Sequence, residues 1–117
     1  MEVERLELKV AAKRAGLEIV EPPLLDGRSG TMHRFGFVAR DQSSTFAFDF
    51  YNEVTEIELL RSAIKGIDTG AKINVVTLTG ETTETAQLFA GELKAKILDT
   101  RNYVRAFESQ LIETTSD

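Results

Sequence analysis

The chain has 117 residues, enough for one domain with a single sheet and a few helices. Its hydrophobic (42%) and charged (28%) fractions argue against wholesale disorder, and the absence of cysteine excludes a disulfide framework, a thiol nucleophile and any zinc site built on sulfur. The formal net charge is −5, with six acidic and six basic side chains in residues 1–35, six against three in 36–70 and seven against five in 71–117, so no segment forms the basic stripe that drives non-specific nucleic-acid binding.

Val3, Leu6, Val10 and Leu17 follow helical spacing with Ala11, Ala12 and Ala15 between them, and Gly16 supplies a left-handed stop. This predicts a helix over 2–15. Residues 17–21 are apolar enough for a short strand, closed by Pro22-Pro23. Asp26-Gly27 and Ser29-Gly30 make 22–31 a loop. Phe35, Phe37 and Ala39 alternate with Arg34, Gly36 and Val38, Asp41-Gln42-Ser43-Ser44 is a turn, and Phe46, Phe48 and Phe50 alternate with Ala47, Asp49 and Tyr51. These segments read as a hairpin whose phenylalanines share one face.

Thr55 and Glu58 have capping-box spacing, and Val54 with Leu59 completes a hydrophobic staple. Val54, Ile57, Leu60, Ile64 and Ile67 mark the expected buried side of a helix ending near Gly70. Residues 73–78 have the β-branched content of a buried strand. A helix with Ala86, Phe89, Ala90 and Leu93 inward follows, then a short strand at 96–98. Asp99 can cap a last helix carrying Tyr103, Phe107 and Leu111, with residues 113–117 a frayed tail. The domain is therefore expected over 1–112, with a mixed sheet between helices. No apolar run reaches membrane-spanning length and Met1-Glu2-Val3-Glu4-Arg5 lacks a signal-peptide core, so a cytoplasmic protein with no membrane partner is expected.

Positions i and i+2 of a strand project to one face, which puts Asp49 and Tyr51 together. An acidic residue, one intervening residue and a lysine is a common nuclease arrangement for holding Mg²⁺ and activating water, normally with a second carboxylate from the preceding strand. Gly36 is expected to face the same side as Asp49. His33, the only histidine, lacks the nucleophile and orienting partner of a general base, and is expected to bond backbone or water.

Residues 1–99 resemble the Mrr-like branch of the restriction-endonuclease-like, PD-(D/E)XK, superfamily. The resemblance rests on the leading helix, Ser29-Gly30-Thr31-Met32-His33-Arg34-Phe35 entering a strand, and the strand from Phe46 to Tyr51. It continues through the helix running into Lys65-Gly66-Ile67-Asp68-Thr69-Gly70, then Asn74-Val75-Val76-Thr77, a helix, and the strand from Lys96 to Asp99. Archaeal members are similar in the serine-glycine entry and the aspartate-threonine-glycine exit. It implies an α/β fold, an αβββαβ core with a mixed central sheet and additional C-terminal helices.

Carrying the catalytic positions across, the entry-strand aspartate falls on Gly36, the second-strand acid on Asp49, and the lysine on Tyr51. Only Asp49 keeps its chemistry. Asp26 is the candidate second metal ligand, Lys65 the candidate relocated lysine, and Glu4 or Glu7 could contribute from the first helix. Arg28 and Arg34 are the candidate nucleic-acid contacts.

The leading expectation is a degenerate, non-cleaving nuclease-like domain acting as a binding or assembly module, associated with DNA or forming a homodimer and needing no cofactor. One alternative is an active Mg²⁺-dependent DNA endonuclease using Asp49 with Asp26 or an acid of the first helix. The other is a small-ligand or protein-binding module that keeps only the architecture.

Overall fold

Phe46 and Phe48 meet Phe107 edge-to-face, at ring-centroid separations of 5.5 and 5.2 Å, and Phe37 meets Phe48 at 6.0 Å. This aromatic stack joins the central hairpin to the last helix. The structure, a computed structural model, describes residues 1–115, with side chains through Glu113. The elements run α1 (Glu2–Arg14), β1 (Glu18–Ile19), β2 (Leu24–Asp26), β3 (Met32–Arg34), β4 (Phe37–Arg40), β5 (Thr45–Val54), α2 (Glu56–Thr69), β6 (Lys72–Thr82), α3 (Glu84–Glu92), β7 (Lys96–Asp99) and α4 (Tyr103–Thr115).

The main sheet has the order β1-β4-β5-β6-β7. β1 pairs antiparallel with β4, and β4 with β5; β5, β6 and β7 run parallel, joined by α2 and α3 as crossovers. The mixed α/β sheet expected from the sequence is thus present. One face packs on α1 and α4 through Leu8, Ala12, Phe46, Phe48 and Phe107. The other packs on α2 and α3 through Val38, Ala47, Val75, Leu59 and Ala86. Among the described residues, no helix is long and apolar enough to cross a membrane.

The local signals at the start and end of α2 act as read. Thr55 donates its amide (2.9 Å) and hydroxyl (2.6 Å) to Glu58 Oε1, and Gly70 at φ +78° supplies the left-handed terminus.

Several expectations need correction. The segment 22–31 is not simply a loop, because β2 and β3 pair as a separate two-stranded sheet with Leu25 opposite His33. The strand expected across Arg34 to Ala39 is broken at Phe35-Gly36, between β3 and β4. Asp99 accepts the Arg101 amide in a turn, and α4 begins only at Tyr103. α4 also continues to Thr115, so the fray expected from 113 falls within its last turn; residues 116 and 117 lie outside those described.

The largest correction concerns the buried side of α2, with single residues of α1 and α3; Tyr103 and Phe107 of α4 and Ala86 and Ala90 of α3 are buried as expected. Val3, Leu6 and Val10 of α1 are exposed, and so are Ile57, Leu60, Ile64 and Ile67 of α2; Phe89 of α3 is also exposed. α2 instead buries Leu59, Ser62, Ala63 and Gly66. Close approach explains this. A Cβ on Gly66 would overlap the Ile73 side chain, so at that turn the helix lies too close to the sheet for a larger residue. The larger isoleucines are turned outward.

Candidate functional site

Asp49 lies in β5, paired with Val75 of β6, and its alternation points it towards α2. It is a carboxylate at 6% exposure, which requires hydrogen-bonding partners. α2 provides them. The Ser62 hydroxyl donates to Asp49 Oδ2 at 2.5 Å, and Lys65 Nζ lies 2.9 Å from the same oxygen. Ser62 and Lys65 are three residues apart, hence on adjoining parts of one helix face.

Lys65 is held on three sides. Its ammonium also donates to the Arg34 carbonyl at 2.7 Å and lies 4.4 Å from the Phe35 ring centroid. The lysine therefore ties β5, α2 and the β3–β4 junction together. Tyr51, two residues along β5, places its hydroxyl 3.0 Å from Ser62 Oγ. With the serine proton committed to Asp49, the tyrosine donates, giving a relay from Tyr51 through Ser62 to the carboxylate. Burial, followed by the nearby Asp49 charge, pushes the Tyr51 phenol above its usual range despite the opposing Ser62 bond. Tyr51 is a neutral donor here, with no cationic role.

Gly36 does not share Asp49's face. The break at Phe35-Gly36 reverses the expected parity, so Phe35 joins the α2-side core and a Cβ on Gly36 would overlap the Phe50 ring on the other side. The ladder survives through the Gly36 amide, which donates to the Phe48 carbonyl at 2.8 Å.

The other candidate acids are not among the Asp49 contacts. Asp26 is exposed at the end of β2 in the small sheet. Glu4 pairs with the Met1 amino group at 2.7 Å. Glu7 bonds the Tyr103 hydroxyl, whose pKa rises, mainly through burial and then through the Glu7 charge. Both glutamates belong to α1, which packs on the opposite face of the sheet from Asp49.

Among the described residues, no group of three or more histidine or acidic side chains could hold a metal ion. Mg²⁺ requires six oxygens at about 2.0–2.1 Å. Asp49 supplies one carboxylate, and the Lys65 ammonium sits 2.9 Å from its Oδ2. The donor set around Asp49 therefore does not fit Mg²⁺.

A second polar cluster lies beside the first. Asp68, one turn beyond Lys65, accepts the Ser29 hydroxyl (2.6 Å) and amide (2.9 Å) and meets His33 Nε2 at 2.7 Å. These bonds, led by the Ser29 hydroxyl and then His33, lower the Asp68 pKa to about 2. His33 thus bonds a carboxylate instead of backbone or water. The cluster pins the β2–β3 hairpin to α2 and brings the Arg28 amide to the Asp68 carbonyl at 2.8 Å. Arg28 and Arg34 are both exposed on this hairpin.

Ser62 and Asp68 were missed in the sequence. The available signal was the polar series Ser62, Lys65 and Thr69 running along one side of an otherwise apolar helix.

No known family profile matches the chain, and no curated protein matches it. Among solved structures it is similar to the crystal structure of a protein of unknown function, AF1548, at 16% sequence identity and a TM-score of 0.63. The likeness covers 84% of this chain, which spans 58% of the length of that one. At this identity the similarity establishes a shared fold.

Proposed function

We propose that the chain is a non-cleaving, nuclease-like domain that serves as an assembly module, with α2 as its working surface. One observation carries the reading: α2 spends Ser62 and Lys65 on the sheet, beside its buried Leu59 and Ala63, and leaves a row of large apolar side chains in water. Inward, Ser62 and Lys65 engage Asp49, so the one retained acid of the nuclease pattern serves as an internal anchor. Outward, Ile57, Leu60, Ile64 and Ile67 are 42–67% exposed. They occupy the a, d, a and d positions of two successive heptads.

A second copy of this chain is the proposed occupant of that face. Four such side chains present on the order of 400 Å² of apolar surface, within the roughly 300–600 Å² of the largest patch on a monomer. A standard interface takes about 800 Å² per partner, so the stripe supplies about half. Glu56 and Arg61 flank the stripe with opposite charges. Parallel pairing about a two-fold axis sets Glu56 of each copy beside Arg61 of the other.

The test has two arms. Supercoiled plasmid incubated with Mg²⁺ or Mn²⁺ should remain intact; divalent-dependent nicking abolished by Asp49→Asn would establish the endonuclease alternative instead. Analytical ultracentrifugation should show a concentration-dependent dimer that Ile64→Glu converts to monomer. A wild-type monomer throughout the accessible concentration range overturns the assembly role.

A further inference from the structure

A cleft of about 510 Å³ opens between α1 and the sheet margin formed by β1, residues 20–23 and residues 34–38. None of the four exposed stripe residues of α2 lines it. Its walls include Leu6, Val20, Pro23 and Phe35, and its charged groups are Glu2, Arg5, Lys9, Glu21 and Arg34. These are three cations against two carboxylates, in a protein whose net charge is −5.

The cations differ in their engagement. Lys9 is paired with Glu21 at 2.7 Å. Arg5 and Arg34 form no ion pair among the described residues. Arg5 Nε is also closed off from solvent without a hydrogen-bond partner there. Apart from that closed-off Nε, the two guanidinium groups keep their outer N–H donors and their charge for an anionic partner.

We propose that this cleft binds a small organic anion, with a carboxylate or phosphate head group held by Arg5 and Arg34 and an apolar body against Leu6, Val20 and Phe35. Guanidinium groups match both head groups through paired N–H donors. The volume falls in the range of pockets for small organic ligands and exceeds what an inorganic ion would fill. Leu6, exposed on an otherwise amphipathic helix, gains apolar cover when the cleft is filled. The site is independent of the proposed α2 assembly.

Amide NMR titrations with phenyl phosphate and phenylacetate, compared with inorganic phosphate and benzyl alcohol, test this on the full chain. Either organic anion should shift the amides of Leu6, Val20 and Gly36 and bind more tightly than both half-ligands; the tighter of the two assigns the head group. Arg5→Gln and Arg34→Gln should each weaken binding about tenfold with the spectrum otherwise folded, as expected for losing a charge-assisted hydrogen bond. Ile64→Glu should leave affinity unchanged, which separates this site from the α2 surface. Absence of shifts at millimolar ligand, equal binding of inorganic phosphate, or full affinity in the Arg5→Gln/Arg34→Gln double variant overturns the proposal.

Discussion

Replacing Lys65 with methionine tests whether Asp49 is an anchor. The substitution keeps an unbranched stem against Phe35 and removes the ammonium 2.9 Å from the carboxylate. Breaking a buried ion pair by removing one partner costs about 3–5 kcal/mol. Lys65 retains 20% exposure and Ser62 still donates to Asp49, which places the expected loss at about 3 kcal/mol, the low end of that range. For a domain of this size each kcal/mol lowers Tm by about 4 °C, so the melting temperature should fall by roughly 12 °C. In an Asp49→Asn background no carboxylate charge is stranded, and the same lysine substitution should cost less than about 1 kcal/mol. Chemical denaturation of the four proteins yields the coupling, expected at about 2 kcal/mol or more. An equal loss in both backgrounds would refute the internal-anchor reading, because the lysine would then matter only through its packing.

Gly36→Asp, which puts an acid where the nuclease resemblance implies one, should lower stability by about 1–3 kcal/mol and produce no nicking with Mg²⁺, since its Cβ runs into the Phe50 ring; melting curves and a plasmid assay check both. Gly66→Ala should also destabilise, reversing the roughly 1 kcal/mol gain that alanine gives in an open helix, because Ile73 fills the space. The Asp68 carboxyl has a folded pKa of about 2 against an ordinary 3.8, so its stabilising contribution is present above pH 3.8 and is lost as pH falls towards 2. Asp68→Asn should therefore flatten the acid limb of the stability profile and increase amide exchange in the β2–β3 hairpin.

The succession of elements was legible because its signals are local. Capping at Thr55 and Glu58, the left-handed glycine at position 70 and the alternation around Phe46 and Phe48 each depend on a few neighbouring residues. The direction of α2 was not legible in the same way. Periodicity locates an apolar stripe on α2, but the spacing between helix and sheet decides its burial, and Gly66 against Ile73 sets that spacing. At the site, Asp49 and the reach of Lys65 could be read from the chain. The orientation of Gly36 could not, because the break beside it reverses the alternation, a consequence of how the small hairpin joins the main sheet. Asp68 was hidden for a related reason: Ser29 and His33 reach it across 39 and 35 residues of sequence.

The margins of the main sheet limit how copies of this protein can meet. β1 contributes two residues before Pro22-Pro23, and β7 contributes four with charged groups at both ends, Lys96 and Asp99. Margins this brief and guarded offer little backbone for a neighbouring chain to extend, which protects against fibre-like growth. In the assembly proposed through α2, such margins would steer contact between copies away from shared strands and so guard against runaway polymerisation.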